Sequence, residues 1–300
     1  MEDAGADSAF RANLAAGSMS YTLLGQSAID GVLLGGIYGL LALGLSLSWG
    51  LLRLVNLSHF AMAFLAAYVT YQLGTTFNFP AWLSLLIVLP AFFIAGMSLH
   101  FVFTMFRVSE FSSMLVTFGV TVLIESLIQW IWSADFRKYE TSYGQETLRL
   151  GPFFVPLLGL TAFACALAMA LSAWIVLRHT MLGKALRAAA YDGSTAAAFG
   201  INANKLSYLL AGSCAASAGV AGVFIALIYT LAPSQIEAWI GVVFAVVIIG
   251  GLANPLGALA AGVLIGVSEA ITMAVVNPAW ASLVAFSILI ALLLWKPAWL

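Results

Sequence analysis

From about residue 28 to residue 297 the chain alternates long apolar runs with short polar interruptions. The runs predict nine membrane-crossing helices, at 28–50, 57–73, 80–105, 111–133, 153–177, 206–231, 237–252, 257–276 and 280–297. Strands of a membrane barrel would show short segments alternating residue by residue, and these runs do not. The predicted fold class is therefore an all-α polytopic membrane bundle of eight or nine helices. Runs 57–73 and 237–252 are the short ones, and either is open to being a re-entrant or broken helix.

The longest polar interruption, 178–205, organises the rest. It holds Arg178, Lys184, Arg187 and Lys205 against one acid, Asp192, so the positive-inside rule places it in the cytoplasm. Alternating outward from it puts seven of the eleven basic residues on the same side (Arg53, Arg107, Arg178, Lys184, Arg187, Lys205 and Lys296), with Arg11, Arg137, Lys138 and Arg149 opposite. Residues 1–27, with Glu2, Asp3 and Asp7 ahead of Arg11, read as an uncleaved extracytoplasmic polar tail before a single membrane domain, 28–300. The C-terminus then falls in the cytoplasm. Within 178–205, residues 183–191 are strong helix formers, and Asp192 can cap a second, shorter helix through Ala196, Ala197, Ala198 and Phe199, stopped by Gly200. A two-turn helix with that apolar surface either packs back on its own membrane helices or docks into a groove of a cytoplasmic partner.

Polar hinges interrupt the apolar pattern at 50–60, with Asn56, Ser58 and His59, and at 250–258, with Gly250, Gly251, Asn254 and Pro255. Broken helices at related places in two halves point to a translocation site, and halves of 28–133 and 206–297 around a linking fifth span would enter the membrane from opposite sides, as an inverted repeat requires. Small residues recur every four positions: Gly31, Gly35 and Gly39 in the first span, Ala211, Ala215 and Gly219 in the sixth, Gly262, Gly266 and Ala270 in the eighth. Such faces predict close helix packing in the bundle or at a subunit interface.

Composition narrows the chemistry. The chain is 63% hydrophobic and 8% charged, with mean hydropathy +1.06 and a net charge of −1, which excludes an ordinary soluble domain and gives no footprint for nucleic acid; lipid is the expected surrounding. Glu125 and Glu269 lie within spans, where a carboxylate faces an aqueous path, a partner helix or a hydrogen-bonded core. His59 is a further pathway candidate; His100 and His179 lie near the cytoplasmic edge. Cys165 and Cys214 sit in apolar runs as small hydrophobes, without metal-ligand spacing. Gly183-Lys184 is followed by Ala185 and has no glycine five positions earlier, so it is no phosphate-binding loop, and no nucleophile elbow occurs. The expectation is a non-enzymatic chain with no cofactor of its own.

Three separated blocks carry a family resemblance: 31–69 (GVLLGGIYGLLALGLSLSWGLLRLVNLSHFAMAFLAAYV), 182–202 (LGKALRAAAYDGSTAAAFGIN) and 242–270 (VVFAVVIIGGLANPLGALAAGVLIGVSEA). In order and spacing they resemble the permease subunits of branched-chain amino acid ABC importers, a group that also takes up urea and amides. The resemblance implies a bacterial inner-membrane subunit of type II importer fold, with ten helices of which the first would be missing here. It implies as partners a second permease, a different chain in the reading taken here, two cytoplasmic ATPases that bind ATP and Mg, and an extracytoplasmic binding protein. It also places the ATPase-docking coupling helix on Asp192, Gly193, Ala196, Ala197, Phe199, Gly200, Ile201 and Asn202. The chain departs from the family at the first hinge, where Asn56-Leu57-Ser58-His59-Phe60 stands for the common Asn-Phe-Ala-His-Gly. It departs again at Tyr191-Asp192, where an acidic pair is usual, and in 107–113, which lacks a basic cluster.

Two functions from different classes follow. One is the permease of an ABC importer for a small amphipathic solute, foremost branched-chain or other hydrophobic amino acids, which would pass Asn56, Ser58, His59, Glu125, Asn254 and Glu269. The other is a proton-coupled secondary transporter with Glu125 or Glu269 as relay.

Overall fold

A computed structural model describes residues 3–141, 144, 146–276 and 278–295, excepting the side chains of 3–20, 279, 282, 293 and 295. Eleven helices follow one another among them: α1 Asp3–Leu52, α2 Ser58–Phe77, α3 Ala81–Met105, α4 Glu110–Trp132, α5 Leu157–His179, α6 Met181–Tyr191, α7 Gly193–Ala198, α8 Ala203–Ile228, α9 Ile236–Gly250, α10 Pro255–Val275 and α11 Ala281–Trp295. A two-stranded hairpin, β1 Thr147–Leu150 and β2 Phe153–Pro156, precedes α5, and a 3-10 turn, Pro233–Gln235, precedes α9. Among the described residues seven helical segments are long and apolar enough to cross a membrane: those of α1 from Tyr21, α3, α4, α5, α8, α10, and α9 with its leading turn.

The helix boundaries have local causes. Asn78, in the left-handed region at φ 52°, stops α2, and Pro80 opens α3. The Ser109 hydroxyl caps α4 by accepting from the Ser112 N–H at 3.2 Å. Asn254 caps α10, with Pro255 at the first helical position. The fifth span starts at 157 and not 153 as expected, because 153–156 pair as a strand: Leu150 faces Phe153 across a two-residue turn whose first residue, Gly151, has φ 63°. Gln26 holds that strand to α1, accepting from the Phe154 N–H at 2.9 Å and donating to its carbonyl at 2.8 Å. The helix of α1 runs unbroken through residues expected to be a tail, whose side chains to residue 20 lie outside the described set, as does the chain beyond 295.

The short run around 57–73 is a 20-residue helix, α2, about 30 Å long at 1.5 Å per residue. It is less apolar than its neighbours because protein surrounds it: Ser58, His59, Tyr68 and Thr70 are all buried. Helix α9 is shorter, with 15 residues. Helices α1 and α8 form the centre, whereas α3, α4 and α5 expose most of their length.

Contacts follow a pseudo-symmetric scheme. Helix α1 packs most extensively on α10 and α8 most extensively on α3; α2 packs on α4 and α9 on α11. Exchanging α1–α4 with α8–α11 maps the first set of pairs onto the second, which is the pattern an inverted repeat produces. Under that mapping the two polar hinges are not equivalent, since one joins α1 to α2 and the other joins α9 to α10.

The α1–α10 seam is built from glycine. A Cβ on Gly35 would lie 2.6 Å from the Gly262 carbonyl oxygen, one on Gly266 would lie 2.6 Å from the Gly35 nitrogen, one on Gly262 would lie 2.6 Å from the Gly35 oxygen, and one on Gly31 would lie 2.7 Å from the Gly266 oxygen. Gly39 meets the Leu259 side chain. These neighbours are backbone atoms of a packed helix and cannot move aside singly. The second seam uses the same device, with Gly96 against Ala211 and Ala215 and Gly219 against Val88. Gly35→Ala is expected to destabilise the purified chain by about 1–3 kcal/mol through overpacking. Gly119→Ala, where an added Cβ meets nothing within 4 Å, should be neutral or stabilising by up to about 1 kcal/mol. Thermal unfolding in detergent compares the two.

Candidate functional site

At one end of the bundle α6 and α7 form a polar platform. The Thr180 hydroxyl caps α6 by accepting from the Gly183 N–H at 3.1 Å, and Gly183 lies directly on Val176 and Leu177 of α5, so α6 folds back tightly. Leu186 is buried beneath it. The Asp192 carboxylate caps α7: Oδ1 accepts from the Ser194 and Thr195 N–H groups at 3.0 and 3.1 Å and from the Ser194 hydroxyl at 2.7 Å, and Oδ2 accepts from the Thr195 hydroxyl at 2.5 Å. These hydrogen bonds, those from Thr195 and Ser194 foremost, hold the Asp192 carboxyl below its ordinary range. A lowered folded value means that the cap is present above the ordinary aspartate range and is lost as pH falls through the lowered one, so it is intact at neutral pH.

Helix α7 ends at Gly200, φ 82°, whose N–H donates to the Ala197 carbonyl at 2.9 Å while Ile201 donates to Ala196 at 3.1 Å. Asn202 then caps α8, accepting from the Lys205 N–H at 3.0 Å. Only Ala196 of the short helix faces inward; Ala197 and Ala198 face out, Phe199 is 82% exposed and Tyr191 is 90% exposed. The packing-back alternative therefore fits Ala196 alone. Arg53, Arg178 and Arg187 line cavities around this platform.

The two polar hinges meet next to it, at the end of α1. The Ser46 hydroxyl donates to the Gly251 carbonyl at 3.0 Å, and its carbonyl accepts from the Ala253 N–H at 3.0 Å. Arg53 and Ala253, at φ 52° and 57°, occupy the left-handed region that non-glycine residues rarely adopt. The freed backbone of the first hinge is satisfied by α4: Val55 N–H donates to the Ser113 hydroxyl at 3.1 Å, and Leu57 N–H to the Thr117 hydroxyl at 3.0 Å. The second is closed by Asn254, which accepts from Gly257 and donates to the Gly250 carbonyl, both at 3.1 Å.

The residues expected along a path have the following surroundings. His59 is 1% exposed, and its Nε2 lies 3.0 Å from the Leu41 carbonyl, so it fills the contact between α1, α2 and α8. Ser58 is wholly buried and donates to Asn56 Oδ1 at 2.6 Å. Glu269 is buried and accepts from the Tyr38 hydroxyl at 2.7 Å, beside Tyr229 and Trp239, whose rings are 5.2 Å apart. Glu125 accepts from Gln129 on its own helix at 3.1 Å. The two carboxylates are not brought together, since α4 packs chiefly on α2 and α10 chiefly on α1. His100, expected near the cytoplasmic edge, is buried edge-on to Tyr208. Asn56 is half-buried and Asn254 exposed. Sequence reasoning missed Ser113 and Thr117, although with Thr121 they form a polar stripe at four-residue spacing. It also missed the Tyr38 partner of Glu269, which is 231 residues away.

No cluster of histidine, cysteine, aspartate or glutamate capable of holding a metal occurs among the described residues. A multi-pass helical bundle with glycine-sealed seams, broken-helix hinges and an exposed helical platform belongs to the class of membrane permeases. The family model described as "Branched-chain amino acid transport system / permease component" matches residues 27–293, and the chain belongs to that family. Similar relatives include the high-affinity branched-chain amino acid transport system permease proteins LivH of Salmonella typhimurium and of Escherichia coli, each 24% identical over 91% of this chain and 93% of theirs. BraD of Pseudomonas aeruginosa is 22% identical over 91% of this chain and 94% of its own. No solved structure matches the chain significantly.

Replacing Ser113 by Ala and Thr117 by Val leaves two hinge N–H groups unpaired. This double variant should lose about 1–3 kcal/mol per orphaned group. Thr121→Val, whose hydroxyl bonds only the Thr117 carbonyl of its own helix, should lose less in the same thermal unfolding comparison.

Proposed function

We propose that this chain is the permease subunit of an ABC importer for hydrophobic amino acids, embedded in a bacterial inner membrane with the α6–α7 platform in the cytoplasm and the β-hairpin outside. It works with a second permease, two ATPases that bind ATP and Mg, and an extracytoplasmic binding protein. The relatives' names support the substrate class, and the distribution of basic residues supports the orientation. The observation that carries the reading is α7. Its Asp192 cap and Gly200 stop hold a six-residue helix rigid while Phe199 projects almost bare, an arrangement that makes sense if a partner's groove receives the ring.

In this mechanism the chain performs no covalent chemistry. Closure of the ATPases moves α7. Because α6 is locked to α5 through Gly183 and α7 leads through Asn202 directly into the central helix α8, the displacement reaches the core of the bundle as a rigid-body motion. The strained hinges at Arg53 and Ala253, the second tied to α1 through Ser46, are the elements able to absorb it. The solute passes between this subunit and its partner permease.

The test is co-purification of the tagged chain with its ATPase, wild type beside Ala197→Asp with Phe199→Asp. Both positions are exposed, so the variant should fold and elute as the wild type does while losing the ATPase and ATP-driven uptake. An ATPase retained by the variant would remove α7 from the docking role. Uptake by the isolated chain on a pH gradient would instead establish secondary transport.

A further inference from the structure

At the hairpin end, opposite the platform, a cavity of about 380 Å³ opens between α1, α5 and the last turn of α8, beside Lys138, Tyr139, Glu140 and Thr141. That size suits a small organic molecule. Its depth is apolar, lined by Leu33, Leu34, Ile37, Leu158, Leu227 and Ile228, whereas its mouth carries charge of both signs on the exposed residues Asp30, Lys138 and Glu140. In the same lining the Thr141 hydroxyl is buried without a hydrogen-bond partner among the described residues. Native proteins seldom leave such a group unpaired, and a ligand oxygen would satisfy it.

These features select one chemistry: an ammonium and an anionic oxygen group at one end of an apolar body. A purely anionic ligand would meet Asp30 and Glu140, an alkylamine would leave Lys138 and Thr141 unanswered, and a strongly polar side chain would be stripped of water against the leucines. We propose that this cavity is a binding site for a hydrophobic α-amino acid on the permease itself. The ammonium lies toward Asp30 and Glu140, the carboxylate toward Lys138 and Thr141, and the side chain points into the α1–α8 cleft. The inference rests on the hydrophobic amino acid reading of the transported solute, and it adds a second station beyond the binding protein at which that solute is recognised.

Equilibrium dialysis of the purified chain in detergent tests it, with L-leucine, L-glutamate, isocaproate, which lacks the ammonium, and isoamylamine, which lacks the carboxylate. Saturable L-leucine binding is expected, with the other three weaker by about tenfold or more, the worth of one charge-assisted contact. Lys138→Ala and Glu140→Gln, at exposed positions that leave the fold intact, should each weaken L-leucine by a similar factor, and Leu158→Trp should fill the cavity and abolish binding. Absence of saturable binding, equal binding of isocaproate, or indifference to all three variants would overturn the proposal. A phosphatidylethanolamine headgroup offers the same pair of charges. If nanodiscs containing that lipid abolish L-leucine binding seen in phosphatidylcholine nanodiscs, the lipid is the occupant and the amino-acid site is refuted. ATPase co-purification is read separately, so a failure here leaves the importer reading standing, and the reverse also holds.

Discussion

In the apolar interior of a bilayer every backbone N–H and C=O needs a partner supplied by the protein, and the architecture follows from that requirement. Continuous helices meet it locally. Where the chain breaks, at residues 53–57 and 251–254, the requirement passes to other elements: the Ser113 and Thr117 hydroxyls receive N–H groups of one turn, the Ser46 backbone carbonyl receives the Ala253 N–H of the other, and the Asn254 side chain receives the Gly257 N–H that follows it. The breaks are therefore held by defined partners, which lets them act as hinges without exposing unpaired backbone to lipid.

Association of the helices has a different cause. Lipid tails are as apolar as leucine, so burying leucine gives little drive inside a membrane, and close backbone approach takes over. The glycines of α1 and α10 interlock reciprocally, Gly31 with Gly266 and Gly35 with Gly262, and the α3–α8 seam repeats the device with Gly96 and Gly219. The two seams are related by the pseudo-symmetric exchange of halves, so a motion entering α8 from the platform meets one seam directly and the other through α1.

The polar side chains of the bundle divide into structural and solvent-facing groups. His59 and Glu269 are each paired within the bundle, to Leu41 and Tyr38, and stabilise contacts between helices. The exposed chemistry gathers at the two ends, with arginines and the bare Phe199 around the platform and a mixed-charge mouth over an apolar cavity beside the hairpin. A protein that passes a solute from one side to the other has its distinct recognition surfaces where its partners and solute arrive.

Much of this was legible in the chain. Apolar run lengths, the Gly-xxx-Gly spacing, the Asp192 cap and the Gly200 stop are local signals, and a helix forms or ends for reasons contained within a few residues of itself. The hairpin at 147–156 was missed because Phe153 to Pro156 is as apolar as the helix it precedes, and only pairing across Gly151 and the grip of Gln26 distinguish strand from helix. Which intramembrane polar groups face a path was not legible either. Whether His59 and Glu269 are functional or structural depends on Leu41 and Tyr38, 18 and 231 residues away. The sequence by itself determined the helical class, the ends that carry local caps and stops, and the family; the tertiary structure alone decided which polar atoms find partners, because burial and pairing belong to residues brought together from distant parts of the chain.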